Sequence, residues 1–244
     1  MYNSAMYSAA LQFRFVRVLA LLIAAVALLA GCTGPAPGPD PEEPPDPAAL
    51  LTESSETTKA QTSAHLELAV EGEVPGLPVE FIDGQLTQTP AVAAQGTLDM
   101  TYLGQQLKEV EFVVFEGDLW AALTAGGSLT NFGPASNVYD VATILDPDVG
   151  LANVLANFSD PAIDGEETVE GVDTVRITGT VAADAVNNIS PQIGATEPVP
   201  GTAWISEESG RELMQVRLEP SPGNSVTMIL SEWGEPVTVE NPAG

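Results

Sequence analysis

Positive charge is scarce in this chain: 7 Lys and Arg stand against 34 Asp and Glu, for a formal net charge of −27. No basic stripe is available to hold phosphates, which excludes nucleic acid as a partner. Anionic headgroups are repelled too, so the body has no electrostatic route onto a membrane. Cysteine is scarcer still. Cys32 is the only one in 244 residues, which removes any intrachain disulfide, redox pair or cysteine-built zinc site, so the fold rests on its core. His65 is the sole histidine. A Ser-His-Asp arrangement would have to use it, yet no Gly-x-Ser-x-Gly elbow is present. There is also no Asp-x-Asp-x-Asp-Gly loop for calcium and no Gly-rich phosphate loop between a strand and a helix. Aromatic residues make up 6%. Trp120, Trp204 and Trp233 read as core or edge packing, and His65 as a solvated strand residue.

A long apolar run is missing as well. The stretch from Val18 to Ala30 falls short of the ~20 residues of a spanning helix. It follows Arg14-Phe15-Val16-Arg17 and ends in Leu29-Ala30-Gly31-Cys32. A basic region, an apolar region and small residues before a cleavage point make a secretory signal. Leu-Ala-Gly-Cys resembles the bacterial lipobox, which implies cleavage before Cys32 and a diacylglyceryl chain on its thiol. Residues 1–31 are therefore read as the signal, and residues 32–47, rich in Pro, Asp and Glu, as a semi-rigid spacer. Residues 48–240 form one domain outside the cytoplasm, at the extracytoplasmic face of the membrane, and 241–244 a short tail. Loss of Arg14 and Arg17 leaves 5 basic residues against 34 acids, a formal charge of −29.

Within the domain the hydrophobic period changes repeatedly. Ala48–Ala64 favours helix, with a thin apolar stripe. Leu66, Leu68 and Val70 then alternate with polar neighbours, as a half-buried strand does. Further strands are expected at Val79–Thr87, Thr97–Leu103, Lys108–Glu116 and Leu119–Thr124, joined by tight turns into a meander. An irregular stretch runs through Asn131–Asp148. Leu151, Val154, Leu155 and Phe158 share one face of a helix expected over Asp148–Phe158, with Asp148 near its N-cap. A hairpin follows at Glu166–Glu170 and Asp173–Val181, then a short helix at Asp184–Ile189. Three strands close the chain at Thr202–Ser206, Glu212–Glu219 and Ser225–Ser231. The class is α+β: a large curved antiparallel sheet over a few helices. So many strands must curl or close, and a curled sheet over few helices can leave an apolar hollow; a well-filled core accounts for the same pattern.

Particular runs resemble a known family. They are Phe112-Val113-Val114-Phe115-Glu116-Gly117, Asn131-Phe132-Gly133-Pro134-Ala135, Tyr139-Asp140, Leu145 through Phe158, Gly223-Asn224-Ser225-Val226 and Ser231-Glu232-Trp233-Gly234-Glu235. They are similar to the LppX/LprA/LprF/LprG family of actinobacterial cell-envelope lipoproteins, its LprG branch above all, and the likeness spans Lys59 to Val239. The resemblance implies a half-barrel sheet of the LolA type wrapped over helices, with a large apolar cavity for the acyl chains of triacylated glycolipids. Its implied ligands are phosphatidylinositol mannosides, lipomannan, lipoarabinomannan or triacylglycerol. These would be moved toward the outer envelope with a major-facilitator efflux transporter as partner, and without catalysis or a cofactor. Leu98 matches a cavity-lining position through Gly96-Thr97-Leu98. The apolar strand and helix phases supply the expected wall: Leu66, Leu68, Val70, Leu98, Met100, Phe112, Val114, Leu151, Val154, Leu155, Phe158, Val175 and Ile177. No metal site is expected. Two other readings use the same residues: an envelope hydrolase built on His65 and the Asp146/Asp148 pair, or a scaffold lipoprotein that binds no lipid.

Overall fold

The structure is a computed structural model that describes residues 45–243 apart from residue 125. The signal segment, Cys32 and most of the spacer lie outside the described residues. Eleven strands form one antiparallel sheet in the order β6-β5-β4-β3-β2-β1-β11-β10-β9-β8-β7. They are β1 Ser63–Glu71, β2 Val79–Thr87, β3 Ala93–Tyr102, β4 Gln105–Phe115, β5 Asp118–Ala122, β6 Thr130–Pro134, β7 Phe158–Val169, β8 Val172–Val181, β9 Val199–Ser206, β10 Leu213–Ser221 and β11 Asn224–Ser231. The chain thus makes two meanders, and β1 pairs with β11 to join them into one sheet. Among the described residues, three helices, α1 Pro47–Lys59, α2 Leu151–Ala156 and α3 Ala183–Ile189, and three 3-10 segments, Ala135–Asn137, Val141–Leu145 and Pro191–Ile193, complete the domain.

Alternation decides which face is covered. In β1, Ala64, Leu66 and Leu68 are buried while Glu67 is not, so the apolar phase turns inward as the period-2 pattern requires. The cover differs along the sheet. Helix α1 packs on α2 and reaches β7 and β9, whereas Val141–Leu145 packs on β2 and β3.

The curl has a local cause that recurs in both meanders. Gly84 pairs with Gly96 across β2 and β3, and Gly96 pairs with Phe112 of β4. A Cβ on Gly84 would stand 3.3 Å from Phe112 Cζ, so the phenyl ring fills the space the paired glycines leave. In the other meander Gly179 pairs with Gly201, and a Cβ on either would stand 3.1 Å from the ring of Phe158. Glycine permits a sharp bend in a strand and an aromatic ring restores the lost packing.

Several boundaries differ from those expected. Helix α1 begins at Pro47, with Asp46 as N-cap accepting from the Ala48 N–H at 3.0 Å, so the last spacer residues belong to the domain. It stops at Lys59 rather than Ala64, because Ser63 already pairs with Thr87 in the sheet. The helix expected over Asp148–Phe158 is only Leu151–Ala156. Its N-cap is Gly150 with no side-chain bond, and Asp148 does not cap it. Asp146 instead accepts the Asp148 and Val149 N–H groups at 2.8 and 3.1 Å, holding the preceding turn. Phe158 opens β7, which runs 12 residues where a short strand from Glu166 was expected. The irregular stretch contains β6, which pairs with β5.

Candidate functional site

All the expected wall residues enter one hydrophobic core: most are buried, and Val70 and Phe158 are half-buried against it. Leu66 and Leu68 (β1), Leu98 and Met100 (β3), Phe112 and Val114 (β4), and Val175 and Ile177 (β8) come from the inner face of the sheet. Leu151, Val154 and Leu155 meet them from α2. Space is left at one end of this core. An inner void of about 10 Å³ lies among Val79, Ile82, Leu98, Phe112, Val114, Leu119, Val138, Tyr139 and Val141. An outer void of about 40 Å³ lies among Leu98, Met100, Tyr102, Val110, Leu119, Ala121, Leu123, Phe132 and Val138. The two share Leu98, Leu119 and Val138, so they flank the same three side chains.

Of the expected wall, Leu98, Met100, Phe112 and Val114 border these voids. Leu66, Leu68, Val70, Leu151, Val154, Leu155, Phe158, Val175 and Ile177 border neither. The remaining lining is Tyr102 of β3, Val110 of β4, and residues of β2, β5, β6 and the segments after β5 and β6, none of them in the expected wall. Tyr139-Asp140 was visible as a motif, but nothing local marks it as a cavity position.

The outer void reaches a greasy rim. Tyr102, Leu123 and Phe132 are 39%, 40% and 38% exposed, and Leu103, in the adjoining turn, is 87% exposed. Exposed large apolar groups gathered at one place mark a surface that meets something apolar. Their position depends on an irregularity: the register slips between Leu98 and Met100. There Asp99 accepts the Glu109 N–H at 2.8 Å and the Lys108 ammonium at 2.9 Å. The Glu109 bond, then Lys108, holds the Asp99 carboxyl below its usual range. A bulge of this kind re-aims the residues beyond it, here Met100 and Tyr102. The cover over the voids is tied by few polar contacts: Gln88 Nε2 donates to the Ala142 carbonyl at 3.2 Å and Gln192 Nε2 to the Val138 carbonyl at 3.0 Å.

Two roomier hollows lie elsewhere. One of about 520 Å³ includes His65, Asp83, Gln85, Gln95, Thr97 and Glu111 from the polar face, around the Gly84–Gly96 pair. The other, also about 520 Å³, surrounds the β1–β2 connection from Gly72 to Pro78. His65 Nε2 stands 3.3 Å from Asp83 Oδ1, and Glu67 joins them, all ligand atoms lying within 4.8 Å of one another. Sequence separation hid this group, which the β1–β2 register assembles. His65 has Asp83 for its carboxylate neighbour, while Asp146 is engaged in its own turn.

Each basic residue after position 31 has an acidic partner. Lys59 meets Asp148, Lys108 meets Asp99, and Arg176 meets Asp164 and Glu167. Arg211 meets Glu53, and Arg217 meets Glu71 and Glu219. The acidic surplus therefore dominates the surface. No helix among the described residues is long and apolar enough to cross a membrane.

Comparison with known proteins gives one consistent picture. Residues 46–239 match the family described as LppX_LprAFG lipoprotein. The chain is 53% identical over 232 residues to the lipoarabinomannan carrier protein LprG of Mycolicibacterium smegmatis, covering 95% of this chain and 98% of the relative. It is 45% identical over 232 residues to the protein of the same name in Mycobacterium tuberculosis, covering 94% and 95%. Among solved structures, LprF of Mycobacterium bovis superposes with a TM-score of 0.72 at 30% identity, over 81% of this chain and 97% of that one. LppX of Mycobacterium tuberculosis gives 0.63 at 27%, over 81% and 100%.

Proposed function

The chain belongs to the LppX_LprAFG lipoprotein family, and on that footing we propose that it is a non-catalytic glycolipid carrier held in the cell envelope by a lipid on Cys32. It takes acyl chains between sheet and cover and passes them toward the outer envelope. The supporting observation is the pair of apolar voids around Leu98, flanked by the exposed rim of Tyr102, Leu123 and Phe132. Acyl chains leaving a bilayer for such a place exchange one apolar surrounding for another, so transfer is near neutral and reversible.

The relatives support the glycolipid cargo of this reading. Proteins named as lipoarabinomannan carriers match nearly the whole chain, which favours phosphatidylinositol mannosides, lipomannan and lipoarabinomannan, with triacylglycerol as a purely apolar alternative. A major-facilitator efflux transporter is the proposed partner. On this reading the structure is a closed form. Ligand sites occupy roughly 300–1,000 Å³, far above the volumes of these voids, so loading requires the cover at Val138–Leu145 to move outward from β2 and β3. Its sparse polar ties suit that movement.

Native mass spectrometry of the full chain purified from an actinobacterial host tests the proposal. Co-purified glycolipid or triacylglycerol is expected, and protein free of lipid under conditions that retain weak ligands would favour the scaffold reading. Cys32→Ser tests the anchor. The protein is expected to pass from the membrane fraction to the soluble fraction with its melting temperature unchanged. Each buried methylene of the anchor contributes about 0.8 kcal/mol, so losing two chains abolishes residence on an otherwise repelled acidic body. A Cys32→Ser chain that stays with the membrane would overturn the anchor.

A further inference from the structure

Five buried side-chain polar atoms lack a partner among the described residues, on Ser54, Thr58, Tyr139, Asn153 and Arg176, and of these only Tyr139 borders the voids. Its side chain lines the inner void, it is 6% exposed, and its hydroxyl has no hydrogen-bond partner among the described residues. A buried donor left unpaired is unfavourable and calls for a reason. Its placement is well supported: Asp140 accepts the Ala142 N–H at 3.2 Å, and Thr143 Oγ1 donates to the Asp140 carbonyl at 2.7 Å, fixing the turn that carries the ring. Around it stand Val79, Ile82, Leu98, Phe112 and Leu119, none with a side-chain acceptor. The acceptor must therefore arrive with a ligand, and one embedded in hydrocarbon must itself be joined to an apolar chain. A carbonyl at the head of a fatty chain has that chemistry.

We propose that Tyr139 Oη donates a hydrogen bond to the ester carbonyl of an acyl lipid lodged in this cavity. The inference rests on the carrier function and adds to it a linkage preference: ester-linked chains over ether-linked ones, whose oxygen is the poorer acceptor. Burial first, and the Asp140 charge second, push the phenol above the usual tyrosine range, so it remains a donor throughout the physiological pH range.

The test uses the full chain and two probes with the same phosphatidylinositol headgroup and chain length, one diacyl and one dialkyl, each displacing a fluorescent fatty-acyl reporter. The wild-type chain is expected to bind the diacyl lipid roughly threefold to tenfold tighter, the range one net hydrogen bond supplies. Tyr139→Phe should lose that factor for the diacyl lipid, keep its affinity for the dialkyl lipid, and melt no lower than wild type when lipid-free, because only an unpaired hydroxyl is removed. Equal affinity of the wild type for both probes, or an unchanged preference in Tyr139→Phe, overturns the Tyr139 assignment and leaves the carrier intact. A wild-type chain that binds neither probe overturns the carrier function and the assignment with it. Should Tyr139→Phe melt lower and lose both probes alike, the hydroxyl is structural and the assignment fails.

Discussion

Leu98→Trp is expected to yield a folded protein that takes up no lipid. Leu98 borders both voids, so an indole there enters the space that the proposed acyl chains would take. The larger of these two voids, about 40 Å³, is far below the roughly 300–1,000 Å³ of a ligand site. The indole therefore overpacks the closed form, which costs about 1–3 kcal/mol. A lower melting temperature with a preserved cooperative transition, and no lipid in the mass spectrum, is the expected pair of results. Wild-type lipid content in Leu98→Trp would remove position 98 from the wall. Ala121→Leu supplies an independent check from β5, since Ala121 lines the outer void alone; uptake should fall there with a smaller stability loss.

The second large effect concerns the bend that shapes the cavity. Gly96→Val is expected to prevent folding or to destabilise the domain by about 3 kcal/mol or more, the upper reach of overpacking. A Cβ on Gly96 would run into the Asp83 carbonyl and come within 2.5 Å of the Gly84 Cα. Both are backbone, so nothing flexible can give way, and the bend would have to open. Gly210→Ala is the matched control: its nearest contact would be Glu212 Cγ at an ordinary 3.7 Å, and the change should stay within about 0.5 kcal/mol. Thermal unfolding of the two variants decides the matter, and a Gly96→Val chain that melts with wild type would show that the paired glycines do not set the curl.

The competing functions separate on the same molecule. The hydrolase reading joins His65 with Asp146 and Asp148, whereas His65 has Asp83 beside it on the polar face and Asp146 holds the turn before α2. A lipid-free scaffold gives no role to the exposed rim or to the unpaired Tyr139 hydroxyl. The acidic surface, with every cation after residue 31 engaged, repels anionic headgroups. On the proposed reading, residence at a membrane would fall to a lipid on Cys32, leaving the body free to release a lipid it carries.

Strands carried their own signature where one face is buried. The expected Val79–Thr87 coincides with β2, and the Leu66/Leu68 alternation correctly placed those residues inward. Helix ends were less legible, because the decisive competitor lies far away in sequence. Ser63 leaves the helix for its pairing with Thr87, and Phe158 leaves α2 to cover Gly179 and Gly201. β6 carried no alternation: most of Thr130–Pro134 is exposed, and an edge strand with little buried surface writes little period into its residues.

From the sequence alone followed the class of the fold, the apolar phase of most strands, and a family likeness that the comparisons uphold. These depend on local order: period, turn residues and short motifs. Tertiary structure alone decided that two meanders join through β1 and β11, that Gly84–Gly96 and Gly179–Gly201 form bends each filled by a phenyl ring, and that the voids gather under Val138–Leu145 rather than across the whole apolar face. Which apolar residues pack solidly and which border empty space depends on how distant segments meet, and period-2 alternation is the same in both cases.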